Sequence, residues 1–174
     1  LAVFRVAQCD YNAAVLHLEQ ALRITSRIDN KTLGGVAGSN LALVYTRLGR
    51  WHLAIERARS IPSEADPISL SNAAYAESIA LSTLGRTEEA IERIQRQTSS
   101  QLPSQAWLLQ FLAFQQADIF WVCGKRHRAI ERAADAARLG EFQALTRGVT
   151  GQFARWAYLL ASSDAVPARE LVAF

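Results

Sequence analysis

One spacing, repeated along the 174 residues, limits what this chain can fold into. Gly49 is followed by Ala54-Ile55-Glu56-Arg57, Gly85 by Ala90-Ile91-Glu92-Arg93, and Gly124 by Ala129-Ile130-Glu131-Arg132. Upstream, Cys9 stands in the glycine position ahead of Ala14 and Val15; downstream, Asp164 marks the corresponding turn ahead of Ala168 and Leu171. By subtraction, Ala14, Ala54, Ala90, Ala129 and Ala168 are 40, 36, 39 and 39 positions apart. Residues 40–58 show what the spacing encodes. Leu41, Val44, Tyr45 and Leu48 fall at i, i+3, i+4 and i+7, and beyond Gly49 the same intervals align Trp51, Ala54, Ile55 and Ala58. Each set is one apolar stripe on a helix, and Gly49 sits where a helix C-terminus takes a left-handed residue. A helical hairpin of this kind cannot bury both its faces alone, so a register kept over several hairpins predicts a stacked repeat.

The punctuation between repeats divides the chain into helices at about 1–8, 11–27, 31–48, 51–60, 67–84, 87–98, 103–123, 126–139, 141–162 and 164–173. Asp29-Asn30-Lys31 offers an N-cap. Asp66-Pro67 reads as an N-cap followed by proline at the first helical position. Thr87 caps the next helix, with Glu88 and Glu89 in its positive-dipole first turn. No stretch carries the two-residue alternation of a strand hairpin. The expected class is all-α, with five antiparallel hairpins at about 1–27, 31–60, 67–98, 103–139 and 141–173 forming a single repeat domain.

Composition agrees. Half the residues are hydrophobic, and four prolines and nine glycines are few interruptions for a chain of this length. There is no apolar run of about 18 residues, so no membrane span is expected. The chain begins at Leu1 and contains no Met, and is read as a piece of a longer protein. A net charge of +3 does not by itself imply nucleic acid, which is not expected as a partner of this segment. Cys9 and Cys123 lie far apart without metal spacing, and are read as buried or half-buried thiols of a reducing, cytoplasmic compartment.

Leu41-Ala42-x-x-Tyr45-x-x-Leu48-Gly49-x-Trp51-x-x-Ala54-Ile55 resembles the tetratricopeptide repeat. The stretch around Gly124 keeps Ala117, Phe120, Ala129 and Ile130; the one around Gly85 keeps Leu81, Leu84, Ala90 and Ile91, but Glu77 and Ser78 replace the usual pair on its first helix. The resemblance covers nearly the whole chain and implies a right-handed superhelix. The long repeats, without the usual Asp-Pro ending, are similar in style to arrays in large bacterial regulators of transcription and signalling.

The same resemblance implies that the first helix of each hairpin lines a groove. Val36, Ser39, Asn40, Leu43, Thr46 and Arg47 would face it from the second hairpin, and Asn72, Tyr75, Ala76, Ile79, Ser82 and Thr83 from the third. Phe111, Phe114, Gln115, Asp118, Trp121 and Val122 would follow from the fourth, with Phe153, Ala157 and Leu160 from the fifth. The aromatic members form either an anchoring floor for an amphipathic helix or apolar peptide, or part of a core. Asn40 occupies the place of an asparagine that clamps C-terminal carboxylates in some members, but Asn72 and Ala76 stand where the accompanying basic residues belong. Chaperone tails are therefore not expected as ligands.

Other constellations read as ordinary helix chemistry. Gly124-Lys125-Arg126-His127-Arg128 is the densest basic run and is read as a solvated turn. His17, His52 and His127 are scattered, Glu88, Glu89 and Glu92 begin a helix, and no phosphate loop, nucleophile elbow or paired-acid motif is present. The expectation is a non-catalytic protein- or peptide-binding scaffold without cofactor or metal, serving as the interaction or sensor segment of a larger bacterial regulator. Two alternatives stay open: a small-molecule inducer-sensing domain of a transcription activator, and a self-association module giving a homo-oligomer.

Overall fold

The computed structural model describes residues 8–100 and 106–138. Among them every regular element is an α-helix: α1 (Tyr11–Arg27), α2 (Lys31–Arg47), α3 (Trp51–Arg59), α4 (Pro67–Thr83), α5 (Thr87–Ser100), α6 (Ala106–Val122) and α7 (Arg126–Arg138). The expected helices at 1–8, 141–162 and 164–173, and with them Ala168, lie outside the described residues.

Helices α1, α2, α4 and α6 end in one way, and Cys9 marks the same turn ahead of α1. Cys9, Asp29, Gly49, Gly85 and Gly124 all hold positive φ, at 59°, 48°, 69°, 79° and 73°. The residue after each of the last four donates its N–H five positions back: Asn30 to the Thr25 carbonyl, Arg50 to Tyr45 and Arg86 to Leu81, each at 2.9 Å, and Lys125 to Phe120 at 2.8 Å. The left-handed residue itself donates three back, as Gly49 does to Thr46 at 3.2 Å. Carbonyls that a helix end leaves unpaired are thus satisfied within the turn, and the chain reverses without a loop. Asp29 belongs to this set, although its side chain type pointed to capping; the cap is Asn30, whose Oδ1 accepts from the Leu33 N–H at 3.0 Å. Asp10 caps α1 in the same way through the Ala13 N–H at 3.2 Å. Before Pro67, Asp66 accepts from the N–H groups of Ile68 at 3.1 Å and Ser69 at 3.0 Å.

The chain divides into two compact units, Leu1–Gln101 and Leu102–Phe174. In the first, α2 packs on α1, α3 and α4, and α4 packs on α3 and α5. In the second, α6 packs on α7. The register alanines mark the contacts: Ala14, Ala54, Ala90 and Ala129 each have 0% of their surface exposed. A further cluster of Ala42, Ala58, Ala73 and Ala76 brings α2, α3 and α4 together, with Leu43 and Ile61 packed at its edge. Such small residues let helix backbones approach while leaving no void. The link at residues 60–66 lies just as close to α2, where a Cβ on Gly35 would meet the Ala65 Cβ at 2.9 Å.

The turns make a prediction of opposite signs. A left-handed conformation costs an L-residue about 1–2 kcal/mol, less for Asp. Gly49→Ala should therefore lower the urea-unfolding free energy by about 1 kcal/mol, while Asp29→Gly should leave it unchanged or raise it by up to about 1 kcal/mol.

Candidate functional site

The residues expected to line a groove divide between the two units. Asn40, Leu43 and Arg47 lie on α2, and Tyr75 and Ile79 on α4, which packs beside it. Asn40 is half-buried, and its amide Nδ2 donates to the Val36 carbonyl at 2.9 Å. Leu43 is half-buried against the alanine cluster, Arg47 is exposed, and Tyr75 and Ile79 are half-buried. The hydroxyls of Ser82 and Thr83 both donate to the Ile79 carbonyl, at 2.8 and 2.9 Å. Ser39 and Ala76, assigned to the same face, are buried.

In the second unit, Phe111, Phe114, Asp118 and Trp121 all belong to α6. Phe111 and Trp121 are half-buried, whereas Phe114, Gln115 and Asp118 are buried. Phe153 lies outside the described residues. The basic run beside α6 is engaged locally: the Arg126 guanidinium lies 5.6 Å from the Trp121 ring centroid and that of Arg128 lies 4.5 Å from Phe120.

A different site emerges where α3, α4 and α5 meet. Successive residues of a helix turn by 100°, so Glu77 projects nearly opposite to both Tyr75 and Ile79. Its side chain is 4% exposed, yet it carries a carboxylate. Arg59 on α3 donates from Nε to Oε1 at 2.6 Å, and Arg93 on α5 donates from Nε to Oε2 at 2.7 Å. Arg93 also reaches the Gln97 Oε1 at 3.4 Å. One buried acid thus joins two neighbouring helices through charge-assisted bonds. Beside it opens a cleft of about 360 Å³, lined by Arg59, Glu77, Arg93 and Arg96 together with Ala58, Ile61, Leu70 and Ala73.

The sequence carried one signal of this site, the replacement of the usual pair on the first helix by Glu77 and Ser78. Counting back eight residues from the turn glycines places Leu41 in α2 where Glu77 stands in α4; counting forward eight pairs Arg57 with Arg93. The comparison is informative. Leu41 offers no carboxylate at that position, and the buried Nε of Arg57 makes no hydrogen bond. Arg57 also lines a second cavity of about 320 Å³ formed by α1, α2 and the link after α3, with Thr25, Asn30, Gly34, Gly38 and Ser60 on its walls.

Two further polar features frame the first unit. The buried Tyr45 hydroxyl donates to Glu19 Oε1 at 3.3 Å. Burial, and then the Glu19 charge, raise its pKa above the ordinary 10.0. Arg86 forks onto Glu89 at 2.7 and 2.6 Å on the exposed surface, and Glu88 and Glu92 are exposed as well. Cys9 and Cys123 are free thiols. Cys123 is half-buried, but Cys9, expected to be at least half-buried, is exposed at its turn and accepts from the Tyr11 hydroxyl at 3.8 Å. Among the described residues no group of three His, Cys, Asp or Glu is placed to hold a metal ion, and no helix is long and apolar enough to cross a membrane.

Removing the buried acid leaves two guanidinium groups facing each other. A fully buried pair broken in this way costs about 3–5 kcal/mol, and water around both arginines reduces that. Glu77→Ala should destabilise the chain by about 2 kcal/mol in urea unfolding. Glu77→Leu, which installs the residue found at the equivalent place in α2, should cost less because it fills the space.

Tyr45 gives a prediction in pH. A phenol whose folded-state pKa is raised contributes stability that is complete below pH 10.0 and is lost as the pH climbs through the folded value. Tyr45→Phe should cost about 1 kcal/mol at neutral pH and should flatten the alkaline fall in Tm relative to the unmodified chain.

No protein-family model matches this chain, and a search of curated proteins returns no match.

Proposed function

We propose that the chain is a non-catalytic scaffold of tetratricopeptide-like hairpins, stacked as a superhelix, that binds a protein or peptide partner. The observation that carries this reading is the recurrence of one hairpin design. A left-handed turn residue precedes a fully buried alanine in front of α1, α3, α5 and α7 alike. A stack built this way repeats a first-helix surface, and here α2 and α4 pack side by side and bear Asn40, Leu43, Arg47, Tyr75 and Ile79. These residues combine apolar bodies with polar tips, the chemistry that anchors an amphipathic helix or an extended peptide. A clamp for C-terminal carboxylates is disfavoured, because Asn72 and Ala76 stand where its basic partners would be needed. Binding would bias the curvature of the stack and so signal to neighbouring parts of a larger regulator.

The test is selection of peptides from a displayed library on the whole chain, followed by titration against variants. Tyr75→Ala and Leu43→Asp should each weaken the selected peptides by about tenfold or more, with the helical circular dichroism unchanged. Peptides that bind both variants as tightly as the unmodified chain would remove α2 and α4 as the recognition surface.

A further inference from the structure

We infer that the cleft between α3, α4 and α5 is an oxyanion site that takes the phosphate group of a small ligand through Arg59, Arg93 and Arg96, with Glu77 as the positioning residue beneath them. Three guanidinium groups line the cleft against one lining carboxylate, and Glu92 beside Arg96 at 3.4 Å leaves a local excess of one positive charge. That excess, with several N–H donors around one opening, suits a phosphate monoester, which is anionic at neutral pH and has three acceptor oxygens.

The guanidinium groups are oriented but not saturated. Glu77 takes the Nε of Arg59 and of Arg93. Beyond that bond, Arg59 makes no other hydrogen bond among the described residues, and Arg93 adds the long contact to Gln97 at 3.4 Å. An arginine held at Nε has its rotamer fixed while its terminal N–H groups stay available to a ligand. Arg96 is tied more loosely, by a 3.4 Å contact to Glu92, and its side chain is 69% exposed. Ala58, Ile61, Leu70 and Ala73 complete its lining with apolar surface. A volume of about 360 Å³ exceeds what phosphate alone requires and leaves room for the body of a small molecule.

A purely structural role for Glu77, stapling α3 and α5 to α4, requires the acid and two arginines. It requires neither Arg96 nor an open volume above the pair. The site also lies on the side of α4 away from Tyr75 and Ile79, so it would bind its anion whether or not that other face holds a peptide.

The decisive experiment is titration of the whole chain with inorganic phosphate, with free phosphoserine and with a phosphoserine-containing peptide, against sodium chloride at matched ionic strength. Calorimetry and thermal shift are the two readouts. Phosphate should bind saturably and raise Tm, and chloride should not. Arg96→Gln should weaken phosphate about threefold to tenfold while leaving the ligand-free Tm unchanged, and Arg59→Gln should weaken it about tenfold or more. Arg50→Gln, an exposed change outside the cleft, and Tyr75→Ala should leave it unaltered. Equal affinity for free phosphoserine and the phosphopeptide assigns the site to a small ligand; a preference of about tenfold for the peptide assigns the same chemistry to a phosphorylated chain. Equal shifts with phosphate and chloride, or phosphate binding by Arg96→Gln at unmodified strength, would overturn the proposal. Because Arg96 is exposed, its variant decides the matter even if Arg59→Gln unfolds.

Discussion

Within the hairpins that turn at Gly49, Gly85 and Gly124, the two helices meet beside a side chain no larger than a methyl group. The glycine reverses the chain in a three-residue link, and five positions after it an alanine is completely buried. The two features depend on each other. A tight turn forces the helix axes close together, and only a small residue at the contact lets them stay there without distorting either backbone. The same logic extends to the second alanine cluster of α2, α3 and α4 and to Gly35, where the link leading to α4 presses against α2.

Glu77 departs from this logic and reorganises its surroundings. Its position in α4 is the one Leu41 holds in α2, so its side chain is directed into the hairpin interior by the helical register alone. A carboxylate there survives only with partners, and Arg59 and Arg93 supply them from the two helices on either side. The arginine at the register position is otherwise a poorly served group, as the unbonded Nε of Arg57 illustrates one hairpin earlier. Pairing therefore serves both members.

Much of the local structure was legible in the residues. The helices at 11–27, 31–47, 51–59 and 67–83 begin and end within a residue of the limits read from caps, glycines and apolar spacing. Those signals are local: each cap bonds within its own turn, and each stripe repeats every three or four positions. The stretch Asp29-Asn30-Lys31 does hold the cap, but aspartate serves both as a cap and as a tolerated left-handed residue, and only the backbone torsion shows that Asn30 caps while Asp29 turns the chain. Periodicity was also too coarse to rank burial on a helix enclosed on several sides. Ser39, Ala76, Phe114 and Asp118 share a face with half-buried neighbours, yet they themselves are buried.

What the sequence determined alone is the all-helical character of the described residues, the position of the turns, and the alanines at which helices touch. These follow from interactions within a few residues of one another and from a register that repeats. What only the tertiary structure decided is which polar groups meet. Arg59, Glu77 and Arg93 are 18 and 16 positions apart and lie on three different helices. Nothing in their spacing distinguishes them from the other charged residues of the chain. Their encounter depends on the approach and rotation of whole helices, which the packing of the alanines sets, so the cleft they line became visible only once α3 and α5 were seen against α4.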